Sequence, residues 1–206
     1  MERGSRGPRF HTGEGGGYGA AMTSSARRPL PSLPLLYLDV DGPLIPFGAS
    51  SDELPDGYPT YGARPDANPL LARLDPALGP RLLALPCELV WATTWMADAN
   101  AWVAPRIGLP ELPVMTWPEP SEDDGPELVH WKTRTLVDHA AGRPFVWVDD
   151  EITAADRNWV AAHHPGRALL HRVDPRFGLV PADFATVAAW LSGPRPRHVR
   201  PPQAPA

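Results

Sequence analysis

The sequence predicts an α/β domain with a central parallel sheet, because short apolar segments alternate with segments of helical periodicity. Two of these segments, 35–38 and 145–148, are continuous apolar runs, which is typical of strands buried on both faces. Both runs end in aspartates where a turn follows. Parallel strands joined in this way carry helices on both faces, so we expect a three-layer sandwich.

A long loop follows the first strand, because residues 46–69 contain five prolines and several glycines. A helix over 68–84 comes next, interrupted near residues 75–76 and 79–80, where Asp-Pro and Gly-Pro pairs stand. The later elements are predicted as strand 88–92, helix 97–104, a short strand at 112–116, helix 126–141, strand 145–148, helix 153–163, strand 166–174 and helix 181–191.

The ends of the chain differ in composition from the predicted domain, which covers residues 31–192. Residues 1–30 are rich in Gly, Ser and Arg, and residues 193–206 are rich in proline, so we expect both ends to be disordered. Met22 stands shortly before the first strand, so translation starts either at Met1 or at Met22.

The composition favours one intracellular domain. The chain has 206 residues, and 43% of them are hydrophobic, which is enough for a substantial core. The single cysteine, Cys87, has no disulfide partner and is expected to be a reduced core residue. No apolar run is long enough to span a membrane, and the start lacks the hydrophobic segment of a signal peptide. We therefore expect a cytoplasmic protein with no membrane partner.

The segment LPLLYLDVDGPL carries the clearest functional signal. Asp39 and Asp41 follow strand 35–38 at a spacing of two residues, which directs both side chains to the same side. Ligands of open α/β sheets bind at the carboxyl ends of the strands. Two carboxylates so close require a cation between them or a shared proton. The alternative is an ordinary polar turn, in which Asp and Gly42 serve only turn chemistry.

A hydroxyl pair and a lysine follow in the chain. The run CELVWATTW ends in Thr93 and Thr94, which either form part of a site or cap the next helix. Lys132 stands near the start of the helix predicted over 126–141. A lone lysine at such a position is usually a solvated charge.

A second acidic group follows strand 145–148. Asp149, Asp150 and Glu151 are consecutive and repel one another unless a metal ion or another cation lies nearby. The sequence therefore predicts that two strand ends carry carboxylates at the same edge of the sheet.

The four segments, in this order, resemble the haloacid dehalogenase (HAD) superfamily of phosphohydrolases. The matching features are DxDG, a strand-end threonine, a lysine and a pair of aspartates. More narrowly, LDVDGPL, VWATTWMADAN, WVDDE and DPRFGL are similar to small bacterial HAD domains, some of them fused to predicted RNA-repair proteins. The resemblance covers about residues 34–192. It implies a Rossmann-like three-layer sandwich with a central parallel sheet and either no cap domain or a minimal one.

The resemblance also implies roles for individual residues. Asp39 would be the nucleophile that forms an aspartyl-phosphate, and Asp41 the general acid and base. Thr93 would donate a hydrogen bond to a phosphoryl oxygen, and Lys132 would offset the negative charge of nucleophile and phosphate. Mg²⁺ is the implied cofactor. Its implied ligands are Asp39, Asp41, Asp149 and Asp150.

Several assignments keep an alternative. Thr94 replaces Thr93 if the strand ends one residue later. Asp150 is the preferred direct metal ligand, with Asp149 in a supporting role and Glu151 as a further contributor. Asp98 and Asn100 either line the pocket or are polar residues in the first turn of a helix.

The expected substrate is a phosphorylated molecule, either a nucleic-acid end or a small phosphoester. The short segments between the motifs leave little room for a cap, which in this family favours large substrates, so a polynucleotide end is preferred. The net charge of −5 and the pI of about 5.8 argue mildly against avid nucleic-acid binding. The competing classes are a small-metabolite phosphatase, a non-catalytic HAD-like binding module, and a phosphotransferase or dehalogenase on the same fold.

Four tryptophans stand near the motifs. Trp91 and Trp147 lie inside predicted strands and are expected in the core. Trp95 and Trp131 adjoin Thr94 and Lys132, where they either pack internally or stack on a base or sugar.

Overall fold

The computed structural model describes residues 32–62, 68–118 and 129–193. The predicted N-terminal extension with Met22 and the proline-rich tail from residue 194 lie outside the described residues. Residues 126–128 of the predicted helix over 126–141 do so as well.

The described residues form one sheet of four parallel strands in the order β2-β1-β3-β4. The α/β class and the parallel sheet are therefore confirmed. The strands are β1 (Leu35–Leu38), β2 (Glu88–Trp91), β3 (Phe145–Asp149) and β4 (Ala168–Arg172).

Helices connect the strands along the chain. A 3₁₀ turn, Pro69–Arg73, and a π-helical turn, Ala99–Val103, precede α1 and α2, respectively. The α-helices are α1 (Leu78–Leu83), α2 (Ala104–Ile107), α3 (Lys132–Ala140), α4 (Ala154–His163) and α5 (Pro181–Ser192).

The strand side chains alternate between two cores, one on each face of the sheet. Leu36 and Leu38 of β1 belong to the first core, which includes residues of α1, α2 and α5. Leu35 and Tyr37 belong to the second core, which includes residues of α3 and α4. Because helices cover both faces, all four positions of β1 are apolar and buried.

The chain changes direction across the sheet at β1. It adds β2 on one side of β1 and then crosses back to place β3 and β4 on the other side. Leu38 pairs with Trp91 of β2 and with Val148 of β3, so the three strands end at the same level. Such a reversal opens a crevice at the carboxyl ends of the strands.

The predicted helix over 68–84 is broken as expected near residues 75–76, but the second interruption is wrong. Gly79 and Pro80 lie in the first turn of α1. Proline is tolerated there because the first backbone N–H groups of a helix have no partner within it. Gly79 also allows close packing, since a Cβ at this position would lie 1.6 Å from the carbonyl oxygen of Ile107.

The strand predicted at 112–116 is wrong. The segment runs beside the end of β2, but it forms only one isolated bridge, between Val114 and Trp91. Pro113 lacks an N–H group, which limits the ladder to the hydrogen bonds on either side of that bridge. The side chain of Asn100 holds the segment in place, because it accepts from Trp91 Nε1 and Leu112 N and donates to Leu112 O.

The helix predicted over 97–104 starts two residues later and extends further, to Ile107. It ends at Gly108, whose φ of +73° closes the last turn. Cys87 stands directly before β2, half-buried against the first core, and burial raises the pKa of its thiol to about 12. No helix among the described residues has the length and apolar character needed to cross a membrane.

Asp156 joins the starts of α3 and α4. Its Oδ2 accepts hydrogen bonds from the backbone and hydroxyl of Thr153, which form the capping box of α4. Its Oδ1 accepts from His130 N and Thr133 Oγ1, both at 2.7 Å, at the start of α3. Burial alone would raise the pKa of Asp156, but the hydrogen bonds from Thr153 and Thr133 outweigh it and lower the pKa.

Replacing Asp156 should therefore destabilise the fold in a pH-dependent way. Asp156→Ala is expected to lower the free energy of unfolding by about 3 kcal/mol near pH 7. Because the pKa of Asp156 is lowered in the folded state, its full contribution to stability is present above the ordinary aspartate pKa of about 3.9. This contribution is lost as the pH falls through the lowered value. Urea unfolding at several pH values measures this difference. Asp138→Ala, at an exposed position of α3, is the control and should change stability little; equal losses would contradict the assignment.

Candidate functional site

The side chains predicted to form a site meet where β1, β2 and β3 end. We call this region the carboxyl edge and define it by Asp39, Thr93, Asp149 and Asp150. Asp39 directly follows β1, and its backbone N–H donates to Val148 O of β3 at 3.1 Å. Thr93 follows β2 after one residue, and Asp149 is the last residue of β3. The parallel sheet thus brings distant parts of the sequence together.

Lys132 connects three elements at this edge. It is the first residue of α3, and its side chain is almost completely buried. Its Nζ lies 2.5 Å from Asp39 Oδ2 and 2.8 Å from Asp149 Oδ2. Lys132 is also the only lysine among the 19 Lys and Arg residues of the chain. A compact ammonium with three donors suits two converging carboxylates, whereas a planar guanidinium is larger and more rigid.

Further donors hold the same two carboxylates. Val40 N donates to Asp39 Oδ1 at 2.7 Å. Asp149 accepts from Trp147 Nε1 at 3.1 Å and from Glu151 N at 2.9 Å. Trp147 is fully buried, as predicted, and it also has this polar contact with the edge. The sequence could have indicated this contact, because residues 147 and 149 are two positions apart and share one face of β3.

The carboxylate of Asp150 has fewer hydrogen-bond partners than those of Asp39 and Asp149. Its carbonyl oxygen accepts from Arg172 Nε at 2.7 Å, which fixes the backbone. No side chain in the described ranges donates a hydrogen bond to the Asp150 carboxylate. The side chain lies directly against Gly42, where a Cβ would come within 2.5 Å of Asp150 Cγ. Gly42 also has a φ of +81°, so both space and backbone conformation favour glycine.

Three carboxylates of the edge lie close enough to share a cation. Oxygen atoms of Asp39, Asp149 and Asp150 are all within 4.8 Å of one another. A hard divalent ion such as Mg²⁺ prefers oxygen ligands of this kind, so the donor set fits it. Asp41, the fourth predicted ligand, does not belong to this group. A second group of His130, Asp149 and Glu151 meets the same distance criterion.

The charges of the edge are unbalanced, because one ammonium faces three carboxylates. Burial, opposed by Lys132, raises the pKa of Asp39 to about 7. Burial and then the charge of Asp149 raise the pKa of Asp150 to about 6. Burial alone would lower the pKa of Lys132, but Asp39 and Asp149 outweigh it and raise the pKa. The edge therefore favours additional positive charge.

Asp41 faces a different partner. It lies half-buried in the tight loop after β1, which is closed by a hydrogen bond from Gly42 N to Ile45 O at 3.0 Å. Its Oδ2 accepts a hydrogen bond from Trp95 Nε1 at 2.9 Å. Sequence reasoning placed Trp95 near the site but missed this contact, because nothing local in the sequence reports the direction of an indole.

The two candidate threonines have different environments. Thr93 is fully buried, and its Oγ1 accepts from Trp95 N at 3.3 Å. Thr94 is exposed. The carbonyl oxygen of Thr93 accepts from Trp117 Nε1 at 3.2 Å, which joins the segment after β2 to a second tryptophan. Of the two polar residues predicted further along, Asp98 is exposed and Asn100 holds the segment beside β2.

An aromatic pair forms a rim beside Lys132. Trp117 and Trp131 meet edge to face with ring centroids 4.8 Å apart. Trp131 is 40% exposed, and its ring centroid lies 5.5 Å from Lys132 Nζ. We call Trp117 and Trp131 the aromatic rim; it presents an apolar surface next to the buried ammonium.

His130 and Glu151 form a pair beside the start of α3. His130 Nδ1 accepts from Lys132 N at 3.2 Å, so its ring proton lies on Nε2, which donates to Glu151 Oε2 at 2.8 Å. Glu151 is largely exposed and thus lies outside the buried carboxylate group. Sequence reasoning missed His130, which lies on the chain directly before Trp131.

A separate cavity of about 190 Å³ lies beside the loop after β1. Its two arginines already have partners. Arg73 lies 4.1 Å over the ring of Tyr58, and Arg176 forms ion pairs with Asp174 and Glu53. The cavity therefore offers less chemistry than the carboxyl edge.

No family model matches the chain, and neither a curated protein nor a solved structure is significantly similar to it. The resemblance to the HAD superfamily therefore stays a prediction.

Removing the Lys132 ammonium should destabilise the edge most at high pH. Lys132→Met leaves the carboxylates uncompensated, so the free energy of unfolding should fall by about 3–5 kcal/mol at neutral pH. The folded-state pKa of Asp39, already raised by burial, rises further, so protonation at lower pH restores part of the loss. Urea unfolding at about pH 8 and about pH 5.5 tests this expectation. Arg134→Met, at an exposed position of α3, is the control; a pH-independent loss in Lys132→Met would refute the charge argument.

The contact between Gly42 and Asp150 predicts a specific difference between two glycines. Gly42 and Gly48 both have a φ of +81°, but a Cβ at Gly48 would meet nothing within 4 Å. Gly48→Ala should cost about 1–2 kcal/mol of stability from the backbone alone. Gly42→Ala should cost about 1–3 kcal/mol more, because the Asp150 carboxylate must move. Urea unfolding measures both losses. Equal losses would show that the Asp150 side chain moves aside without a cost in stability.

Proposed function

We propose that the protein is a Mg²⁺-dependent phosphoric monoester hydrolase that acts through an aspartyl-phosphate. The observation that carries the proposal is the buried Lys132 ammonium between Asp39 and Asp149, beside the carboxylate of Asp150, to which no described side chain donates. Phosphoryl transfer depends mainly on positioning and on neutralising charge, and this edge supplies both.

Asp39 is the nucleophile in this proposal. One of its carboxylate oxygens attacks phosphorus, the bond from phosphorus to the leaving oxygen breaks, and an aspartyl-phosphate results. The contacts from Lys132 and Val40 hold the carboxylate in one orientation. The ammonium also offsets the charge that the phosphate brings. This geometry reduces the reorganisation required for attack.

Asp41 is the general acid and base. It gives a proton to the leaving oxygen in the first step and accepts one from the hydrolytic water in the second. The water oxygen then bonds to phosphorus, the bond to Asp39 breaks, and inorganic phosphate is released. Asp41 belongs to the same short loop as the nucleophile, which places acid and nucleophile on one backbone segment.

Thr93 is the phosphate-binding hydroxyl in the proposal. Its Oγ1 accepts from Trp95 N, and none of the described residues accepts the hydroxyl hydrogen. The hydroxyl therefore has a hydrogen to donate to a phosphoryl oxygen. Thr94, which is exposed, is the alternative.

Mg²⁺ would be held by Asp39 and Asp150, with Asp149 in support, because their oxygens lie close together and no side chain among the described residues donates to the Asp150 carboxylate. The bound ion would neutralise charge on the phosphoryl oxygens. Asp41 stands apart from this group and is assigned only the acid and base role.

A polynucleotide end is the favoured substrate. Between Asp41 and Thr93, and from there to residue 118, the described segments contain only β2, loops, a 3₁₀ turn, a π-helical turn and short helices, which supports a site without a large cap. The aromatic rim offers a surface on which a terminal base can stack. The net charge of −5 favours recognition of the end alone over tracking of a long backbone.

The proposal is tested by hydrolysis of p-nitrophenyl phosphate with Mg²⁺. Asp39→Asn should reduce the rate more than about 1000-fold, because amide oxygen is a poor nucleophile. Chelator should abolish wild-type activity, and added Mg²⁺ should restore it. Asp138→Asn, an exposed change on α3, is the matched control and should keep full activity.

A comparison of kcat/KM between phosphate-ended oligonucleotides and small phosphorylated sugars then distinguishes the two substrate classes. Higher values for the oligonucleotides are expected. A wild-type protein that is inert on every phosphoester would overturn the hydrolase and favour a binding module.

A further inference from the structure

Trp95 contacts two residues of the proposed machinery at once. Its backbone N–H donates to Thr93 Oγ1 at 3.3 Å, and its indole Nε1 donates to Asp41 Oδ2 at 2.9 Å. The ring is half-buried and packs against the first core. The indole is therefore anchored by its backbone and by packing, while its Nε1 donates to Asp41 beside the carboxyl edge.

The chemistry of indole makes this contact directional. Tryptophan is a donor only, so Asp41 Oδ2 always accepts in this hydrogen bond. A proton that Asp41 passes to a leaving group is then favoured on Oδ1, because the unprotonated oxygen is the better acceptor for the indole N–H. A serine or asparagine partner could exchange roles with the carboxyl group, but an indole cannot. Among the described residues, no other side chain donates to Asp41.

We propose that Trp95 is a positioning residue that orients Asp41 toward the leaving oxygen of a phosphoester. This inference rests on the proposed function and adds a residue that the sequence motifs do not contain. Without the indole N–H, the Asp41 side chain keeps its place in the loop but loses the contact that selects its rotamer.

The leaving group decides how much this orientation matters. An alkoxide, such as the oxygen of a sugar, leaves poorly and needs a proton as the phosphorus–oxygen bond breaks. A p-nitrophenolate leaves without one. Loss of orientation at Asp41 should therefore slow formation of the aspartyl-phosphate from alkyl phosphates and spare its formation from p-nitrophenyl phosphate. Hydrolysis of the aspartyl-phosphate is the same step for every ester, so the difference is read in kcat/KM, which reports the steps up to departure of the leaving group. A merely structural loss would slow both alike.

The test compares Trp95→Phe with wild type on p-nitrophenyl phosphate, phenyl phosphate and glycerol phosphate. Phenylalanine keeps most of the ring and removes the N–H. We expect kcat/KM to fall about 10- to 100-fold on glycerol phosphate and less than about 3-fold on p-nitrophenyl phosphate, with phenyl phosphate between them. Trp102→Phe is the matched control, because Trp102 is an exposed indole remote from these contacts and should leave all three rates unchanged.

A double-variant cycle completes the test. Asp41→Asn should show the same order of losses at larger size, and adding Trp95→Phe to it should cause no further loss on glycerol phosphate. Equal losses of kcat/KM for Trp95→Phe on all three esters, or additive losses in the double variant, would overturn the inference while leaving the hydrolase intact. No wild-type activity on any ester would instead overturn the proposed function, and this inference with it.

Discussion

The ammonium of Lys132 is the interaction on which the rest of the carboxyl edge depends. It joins the ends of β1 and β3 to the start of α3, three elements that no other single side chain of the edge connects. Asp39 and Asp149 are buried, and without a cation their mutual repulsion would force one of them to hold a proton. The positions of both strand ends are therefore set by charge as much as by apolar packing.

Indole N–H groups supply much of the polar framework around this charge. Trp95 reaches Asp41, Trp117 reaches the carbonyl of Thr93, and Trp147 reaches Asp149. Each ring buries apolar surface and donates its one N–H to a residue at or beside the edge. Stiff side chains therefore hold the proposed catalytic groups in place. The high tryptophan content, eight residues, thus has a partly polar explanation.

The sequence predicts the residues of the edge better than their contacts. Asp39 and Asp149 could be expected to meet, because continuous apolar runs mark β1 and β3 and parallel strands end together. The pairing of Trp95 with Asp41 could not, since it depends on the rotamer of an indole across 54 positions of chain. Local rules also failed where context changed their meaning, as at Pro80, which starts a helix instead of breaking one.

Lys132 has one more consequence, which concerns covalent chemistry. It is the only lysine of the chain and is 2% exposed, so in the folded protein its amine is shielded from reagents in solution. Acylation at this position requires opening of the edge, whereas an exposed lysine would react in the native state. The extent of labelling at this one residue, read by mass spectrometry, is therefore a direct count of molecules whose carboxyl edge has opened.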